Sequence, residues 1–130
     1  ALETTTGSET DGSAFYDSFV VREYDPADAL QIGSLTLRFR PTVHYVPCWA
    51  IRVSSARAGD LFYTADTGPT ADLLPLASGA SLVIAEGTAR PSEEEPFMSR
   101  GHLTPAEAGT LARDAGAQTL LLAHLWAEHD

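Results

Sequence analysis

Apolar and polar positions alternate strictly from Ser34 to Arg40, with Leu35, Leu37 and Phe39 on one face and Thr36, Arg38 and Arg40 on the other. A period of two is the signature of a β-strand, and Gly33 and Pro41 mark its ends. The β-branched and aromatic run Ser18 to Tyr24, closed by Asp25-Pro26-Ala27-Asp28, predicts an earlier strand. After a loop from Pro41 to Pro47, Cys48 to Val53 reads as the next strand, Ser54 to Asp60 as a turn, and Leu61 to Ala65 as a hairpin partner.

Beyond Asp66 the pattern changes from a β-meander to alternating helix and strand, an α/β arrangement. Thr70 can cap a short helix through Ala71-Asp72-Leu73-Leu74, limited by Pro75 unless the proline falls in the first turn. Ser81 to Glu86 and Gln118 to Ala123 are continuous apolar runs, as expected for strands covered on both faces. Between them Thr104-Pro105-Ala106-Glu107 is a capping box with proline at the first helical position. Ala108, Leu111, Ala112 and Ala115 repeat at helical spacing, and Gly116 stops the helix. Pro91 to Pro96 is a charged, solvated loop, and residues 1–14 are a flexible lead-in to one domain over 15–130.

The chain has 130 residues, 44% of them hydrophobic, which suits one domain with its own core. No stretch has the apolar length to span a bilayer, and the polar start lacks the build of a signal peptide, so a soluble cytoplasmic protein is expected. The single cysteine, Cys48, fits a reducing compartment as a small buried hydrophobe. A net charge of −10 argues against extended nucleic acid as a partner and in favour of a small-molecule substrate. Trp49, Trp126, Phe97 and Met98 are expected to pack in a core or interface.

Candidate chemistry collects where elements end. Asp66 follows the Leu61 to Ala65 run, Glu86 and His124 end two apolar strands, His44 lies between two strand-like runs and His102 precedes the helix cap. His44 and Asp66 stand at the two ends of one hairpin's sequence, so both fall at the same sheet edge. In open α/β sheets ligands gather at the carboxyl ends of strands, and imidazoles with a carboxylate are the raw material of a metal site. His129 has no such setting and is expected to be exposed.

The runs His44-Tyr45-Val46-Pro47 through Ile51-Arg52, Tyr63 to Gly68, Ile84 to Thr88, Gly101 to Pro105 and Leu122 to Leu125 together resemble the later part of a metallo-β-lactamase-fold hydrolase. Their order and spacing look like the ribonuclease Z-like and cyclic-phosphodiesterase branch. The resemblance implies part of an αββα sandwich that holds two zinc ions. It makes His44 a ligand of one zinc, Asp66 the carboxylate bridging both, His124 the terminal ligand of the second, and Glu86 with His102 a pair that assists proton transfer. The surface-carboxylate alternative for Glu86 is supported by Gly87, which stands where relatives favour a packed alanine.

The His-x-His-x-Asp-His turn of that superfamily is absent from these 130 residues. The chain is therefore expected to be a fragment, or a natural half, with an exposed apolar sheet face that favours a homodimer or pairing with the rest of the fold. The resemblance implies hydrolysis of phosphodiesters of small or cyclic nucleotides by the complete protein. Transfer-RNA processing fits less well, because that group follows its last histidine with a serine and an Arg-Tyr pair, and Leu125-Trp126-Ala127-Glu128 stands here. The alternatives are a lactone or thioester hydrolase of the same fold and a non-catalytic pairing module.

Overall fold

Six strands form one mixed sheet in sequential order: β1 (Leu30–Ile32), β2 (Leu35–Pro41), β3 (Trp49–Ser55), β4 (Ala58–Tyr63), β5 (Leu82–Glu86) and β6 (Thr119–Ala123). The computed structural model describes residues 19–90 and 100–125. Strands β1 to β4 are antiparallel neighbours, whereas β4, β5 and β6 are parallel. Two antiparallel steps restore direction, so β2, β4, β5 and β6 all run the same way. Their carboxyl ends share one edge, and that edge carries the candidate residues.

The parallel connections are helical. A 3-10 turn at Ala71–Leu73, capped by the Thr70 hydroxyl, runs into α1 (Leu74–Ala77), whose Pro75 sits in the first turn as the sequence allows. Helix α2 (Pro105–Asp114) begins with both halves of the expected capping box and is followed by Gly116 at φ +71°, the left-handed stop that glycine adopts without penalty. Ala50, Phe62, Val83 and Ala85 of the sheet pack against Leu73, Ala77, Leu103, Ala108, Ala112 and Ala115. So many alanines let helix backbones lie close to the strands.

Register places the opposite sheet face. Arg38, Arg52, Phe62, Val83 and Leu120 form one cross-strand row on the helix side, and Phe39, Ile51, Tyr63, Ile84 and Leu121 form the neighbouring row on the other. The apolar face of β2 therefore turns away from the helices. Among the described residues no helix covers that side, and Leu35, Tyr63 and Leu121 are exposed on it. Arg52 is accommodated on the helix side because it donates to the Leu76 and Ser78 carbonyls at the end of α1, both at 2.8 Å, and to Asp60.

Several elements differ from expectation. Residues 19–24 form no strand; the Leu35–Leu37 part of the β2 edge is taken by β1, which folds back through Gly33 at φ +59° in a two-residue turn. Tyr24 instead stacks on Phe39 with ring centroids 4.5 Å apart. Strand β2 continues through Pro41 opposite Trp49, where the missing N–H costs nothing because β1 has already ended. The turn between β3 and β4 is shorter than expected, and a register shift between Val53 and Ser55 absorbs the mismatch. Strand β6 is not fully buried: it is the sheet edge, and Leu121 is 52% exposed. The boundary near Phe15, the loop 91–96, Phe97, Met98, Trp126 and His129 lie outside the described residues. Among the described residues no helix is long and apolar enough to cross a membrane.

Candidate metal centre

The loop after β4 is held from three sides. Thr64 N–H donates to the Ile84 carbonyl at 3.0 Å, continuing the parallel ladder. Ala65 then takes φ +51°, a left-handed conformation costly for a residue with a Cβ, and Asp66 turns out at the sheet edge. The Thr42 hydroxyl donates to the Asp66 carbonyl at 2.8 Å, and Gly68 N–H donates to the Val43 carbonyl at 2.6 Å. Gly68 is required there: a Cβ would lie 1.8 Å from the Arg100 carbonyl oxygen. These ties bring the His44 loop against the Asp66 loop, with His44 Nε2 3.8 Å from Asp66 Oδ2.

Glu86, the last residue of β5, is only 2% exposed. Its carboxylate accepts from Thr67 N–H at 2.7 Å, from Thr88 N–H at 3.2 Å and from His102 Nδ1 at 3.1 Å. Burial of an isolated charge would be prohibitive, and three donors offset that cost. This is a buried, fully engaged carboxylate and not a surface residue closing a strand. Gly87 also has a local reason, since a Cβ would approach Leu125 to 3.0 Å and Pro105 to 3.3 Å.

Hydrogen bonding fixes the imidazoles as well. A carbonyl oxygen only accepts, so the 2.9 Å contact of His44 Nδ1 with the Gly101 carbonyl requires a proton on Nδ1 and leaves the Nε2 lone pair facing Asp66 when the ring is neutral. The Glu86 carboxylate imposes the same tautomer on His102. The His102 ring stands 4.9 Å from that of His44 and 5.9 Å from that of His124. His124 closes the site from β6: its φ is +53°, its carbonyl accepts from the Thr88 hydroxyl at 2.9 Å, and its Nδ1 lies 3.1 Å from Asp66 Oδ1.

All five sequence candidates therefore converge, although they come from five separate loops and strand ends. Ligand atoms of His44, Asp66 and His102 lie within 4.8 Å of one another, as do those of Glu86, His102 and His124. Burial pushes the Tyr63 phenol above its ordinary value, and the charges of Asp66, Cys48 and Glu86 push it further in the same direction. Two imidazole lone pairs, a two-oxygen carboxylate and a third imidazole fit a transition-metal site. Because the Glu86 oxygens are already engaged, that residue fits an orienting role better than a ligand role.

The supporting residues were less visible in the sequence. Thr42, Thr64, Thr67 and Thr88 tie the loops through their hydroxyls, and their only sequence signal is position beside strand ends. Arg100 donates through Nε to the His102 carbonyl at 2.9 Å and pairs with Glu107 of the capping box, so the helix start holds the His102 loop. Burial pushes the Glu107 carboxyl up, but hydrogen bonds from Thr104 and Arg100 outweigh it and keep the group below the usual range.

The beta-lactamase superfamily domain matches residues 2–125. The probable metallo-hydrolase YhfI of Bacillus subtilis is 35% identical over 102 residues, covering 78% of this chain and 41% of YhfI. Its crystal structure superposes with a TM-score of 0.71 at 29% identity, covering 88% of this chain and 49% of that one. Ribonuclease Z of Methanothermobacter thermautotrophicus is 41% identical over 63 residues, 48% of this chain and 20% of its own length. The short form of human tRNase Z shares the fold, with a TM-score of 0.65 at 20% identity over 77% of this chain and 40% of that chain. The chain thus spans less than half the length of these relatives. A family match over nearly the whole sequence, joined to a sheet-edge cluster of three histidines, an aspartate and a buried glutamate, makes this chain a member of the metallo-β-lactamase-fold hydrolase superfamily.

Proposed function

We propose that this chain contributes His44, Asp66 and His124 to a two-zinc hydrolase that cleaves phosphodiester bonds of small or cyclic nucleotides. The observation that carries the reading is the buried Glu86 carboxylate at the edge of the Asp66 cluster, which engages His102 through Nδ1 and so leaves Nε2 as the ring nitrogen for chemistry. His44 and Asp66 would hold one ion, and Asp66 and His124 the other. Two donors per ion fall short of the usual catalytic set, so the remaining ligands come from outside these 130 residues. The absence of a His-x-His-x-Asp-His turn here and the coverage of less than half of the relatives support that arrangement.

When bound, zinc ions supply Lewis acidity at a phosphoryl oxygen and lower the pKa of water towards neutrality. The protein's own residues do the rest. Asp66 offers two oxygens at the centre of the cluster, Oδ2 towards His44 and Oδ1 towards His124, and would serve an ion on each side. Glu86 accepts a hydrogen bond from His102 Nδ1 and so orients the ring, letting a proton carried on Nε2 pass to the leaving alkoxide oxygen as its bond to phosphorus breaks. Thr67 and Thr88 keep Glu86 itself in place. The acidic balance of the chain favours a small substrate over extended nucleic acid.

Hydrolysis of bis-p-nitrophenyl phosphate by the zinc-loaded full-length protein tests the reading. Activity is expected to vanish in Asp66→Ala and to fall about a hundredfold or more in His102→Ala. Turnover of lactones or thioesters with no phosphodiester cleavage would overturn it.

A further inference from the structure

Tyr45 is 62% exposed, yet its ring is fixed. Gly101 N–H donates to the phenol oxygen at 3.2 Å, and the ring lies directly on the Gly101 backbone, where a Cβ would come within 2.7 Å of Cε2 and 2.8 Å of Cζ. The next residue, Val46, is 61% exposed and extends the apolar surface. The Tyr45 ring centroid is 5.2 Å from that of His44 and 6.0 Å from that of His102. A large exposed aromatic therefore stands next to two candidate metal-centre imidazoles, held at both its hydroxyl and its ring.

Three observations point to a ligand. An exposed tyrosine ordinarily keeps its side-chain freedom, but the hydrogen bond to this phenol and the Gly101 backbone against its ring restrict it, which lowers the ordering cost of a group stacking on it. The chain carries a net charge of −10, and Arg100 near the site is engaged by Glu107. A nucleotide separates its phosphate from its base by one sugar, a spacing comparable to that between the imidazoles and the Tyr45 ring.

We propose that Tyr45 is a stacking subsite for the planar base of a nucleotide whose phosphate faces His44, Asp66 and His102. The identity of the ring as a nucleobase rests on the phosphodiesterase reading; the presence of a ring-binding surface does not. Stacking on one aromatic side chain corresponds to a gain of about tenfold in affinity.

Calorimetric binding of adenosine monophosphate and of ribose 5-phosphate to the zinc-loaded full-length protein isolates the base. The wild type is expected to bind adenosine monophosphate about tenfold more tightly than ribose 5-phosphate. Tyr45→Phe should keep that ratio within about twofold, because the ring remains. Tyr45→Leu and Tyr45→Ala should bring the ratio close to one while affinity for ribose 5-phosphate persists; Tyr45→Leu carries the test if the alanine variant does not fold. A wild-type ratio near one, or equal weakening of both ligands in Tyr45→Leu, overturns the proposal. If a Tyr45-dependent preference is measured but no phosphodiester is hydrolysed, the subsite stands and the reaction assignment falls.

Discussion

His102 Nδ1 lies 3.1 Å from both carboxylate oxygens of Glu86. That relationship makes the acid a control on which imidazole nitrogen carries the proton. Glu86→Gln replaces one acceptor oxygen by an NH2 donor, so the remaining oxygen cannot serve Thr67 N–H, Thr88 N–H and His102 Nδ1–H together, whereas Glu86→Ala removes the acceptor of Nδ1–H altogether. Nitrogen NMR of the neutral imidazole should therefore report loss of the pure Nδ1–H tautomer in Glu86→Ala, and an unchanged tautomer in that variant would refute the orienting role. Stability should fall by about 1–3 kcal/mol in Glu86→Gln, since donors now face a donor. Glu86→Ala leaves Thr67 N–H, Thr88 N–H and His102 without their acceptor and should cost more.

Ala65 at φ +51° immediately precedes Asp66, so the direction of the carboxylate is tied to a strained backbone. Glycine relieves the left-handed penalty but loses a buried methyl group, effects of about 1 kcal/mol each and opposite sign. Ala65→Gly should consequently leave the urea midpoint nearly unchanged. A β-branched side chain cannot adopt this conformation without greater strain, so Ala65→Val should destabilise by about 2 kcal/mol or more and reduce zinc affinity in the same protein. Equal behaviour of the two variants would show that backbone conformation at residue 65 does not govern the site.

The sequence revealed most where a signal is local. The Thr104 to Glu107 capping box, Gly116 and the apolar run ending at Glu86 each carry their own chemistry and appear as expected. The site residues could be named because strand ends in a partly parallel sheet share an edge. What the chain could not disclose depends on partners far apart in sequence. Residues 19–24 have strand-forming side chains, yet they pair with no strand, and Tyr24 meets β2 through its ring on Phe39 and not through its backbone. Likewise the alternation in β2 shows two faces without saying which meets the helices, and the answer comes from its register with Arg52 and Phe62.

Acid should weaken the fold through two carboxyls remote from the metals. The Arg52 guanidinium, with Ser54, holds Asp60 below its ordinary value despite some burial, and Glu107 is also lowered on balance. A depressed folded-state pKa contributes stability that is whole above the unfolded value and is lost as pH falls through the folded one. The urea midpoint should thus be steady at neutral pH and drop below about pH 4. Asp60→Asn should lower the neutral-pH midpoint and flatten part of that acid decline; an equally steep decline would assign the effect to other groups.

The 130-residue chain by itself should bind zinc weakly. His44 with Asp66 and Asp66 with His124 offer two donors per ion, while the Glu86 oxygens are engaged elsewhere. Metal analysis after dialysis should give less than one zinc per chain. His124→Ala should lower it further, because Asp66 then loses its 3.1 Å neighbour. A firmly held pair of ions in the isolated chain would show that these residues suffice, contrary to the two-part site.

The open sheet face has the most direct physical consequence. Phe39, Ile51, Tyr63, Ile84 and Leu121 form a continuous apolar row opposite the helices, with Tyr63 and Leu121 at 38% and 52% exposure. Apolar area of this kind is stabilised by removal from water at about 25 cal/mol per Å2, which favours association of the isolated chain. Sedimentation should therefore detect dimers or larger species whose fraction rises with concentration. Charges on the row should oppose that association without entering the helix-side core, so Leu121→Lys combined with Tyr63→Lys is expected to shift the chain towards monomer and to reduce binding of an apolar dye. If the unmodified chain instead sediments as a monomer at every concentration, the row is too small or too well hydrated to drive pairing.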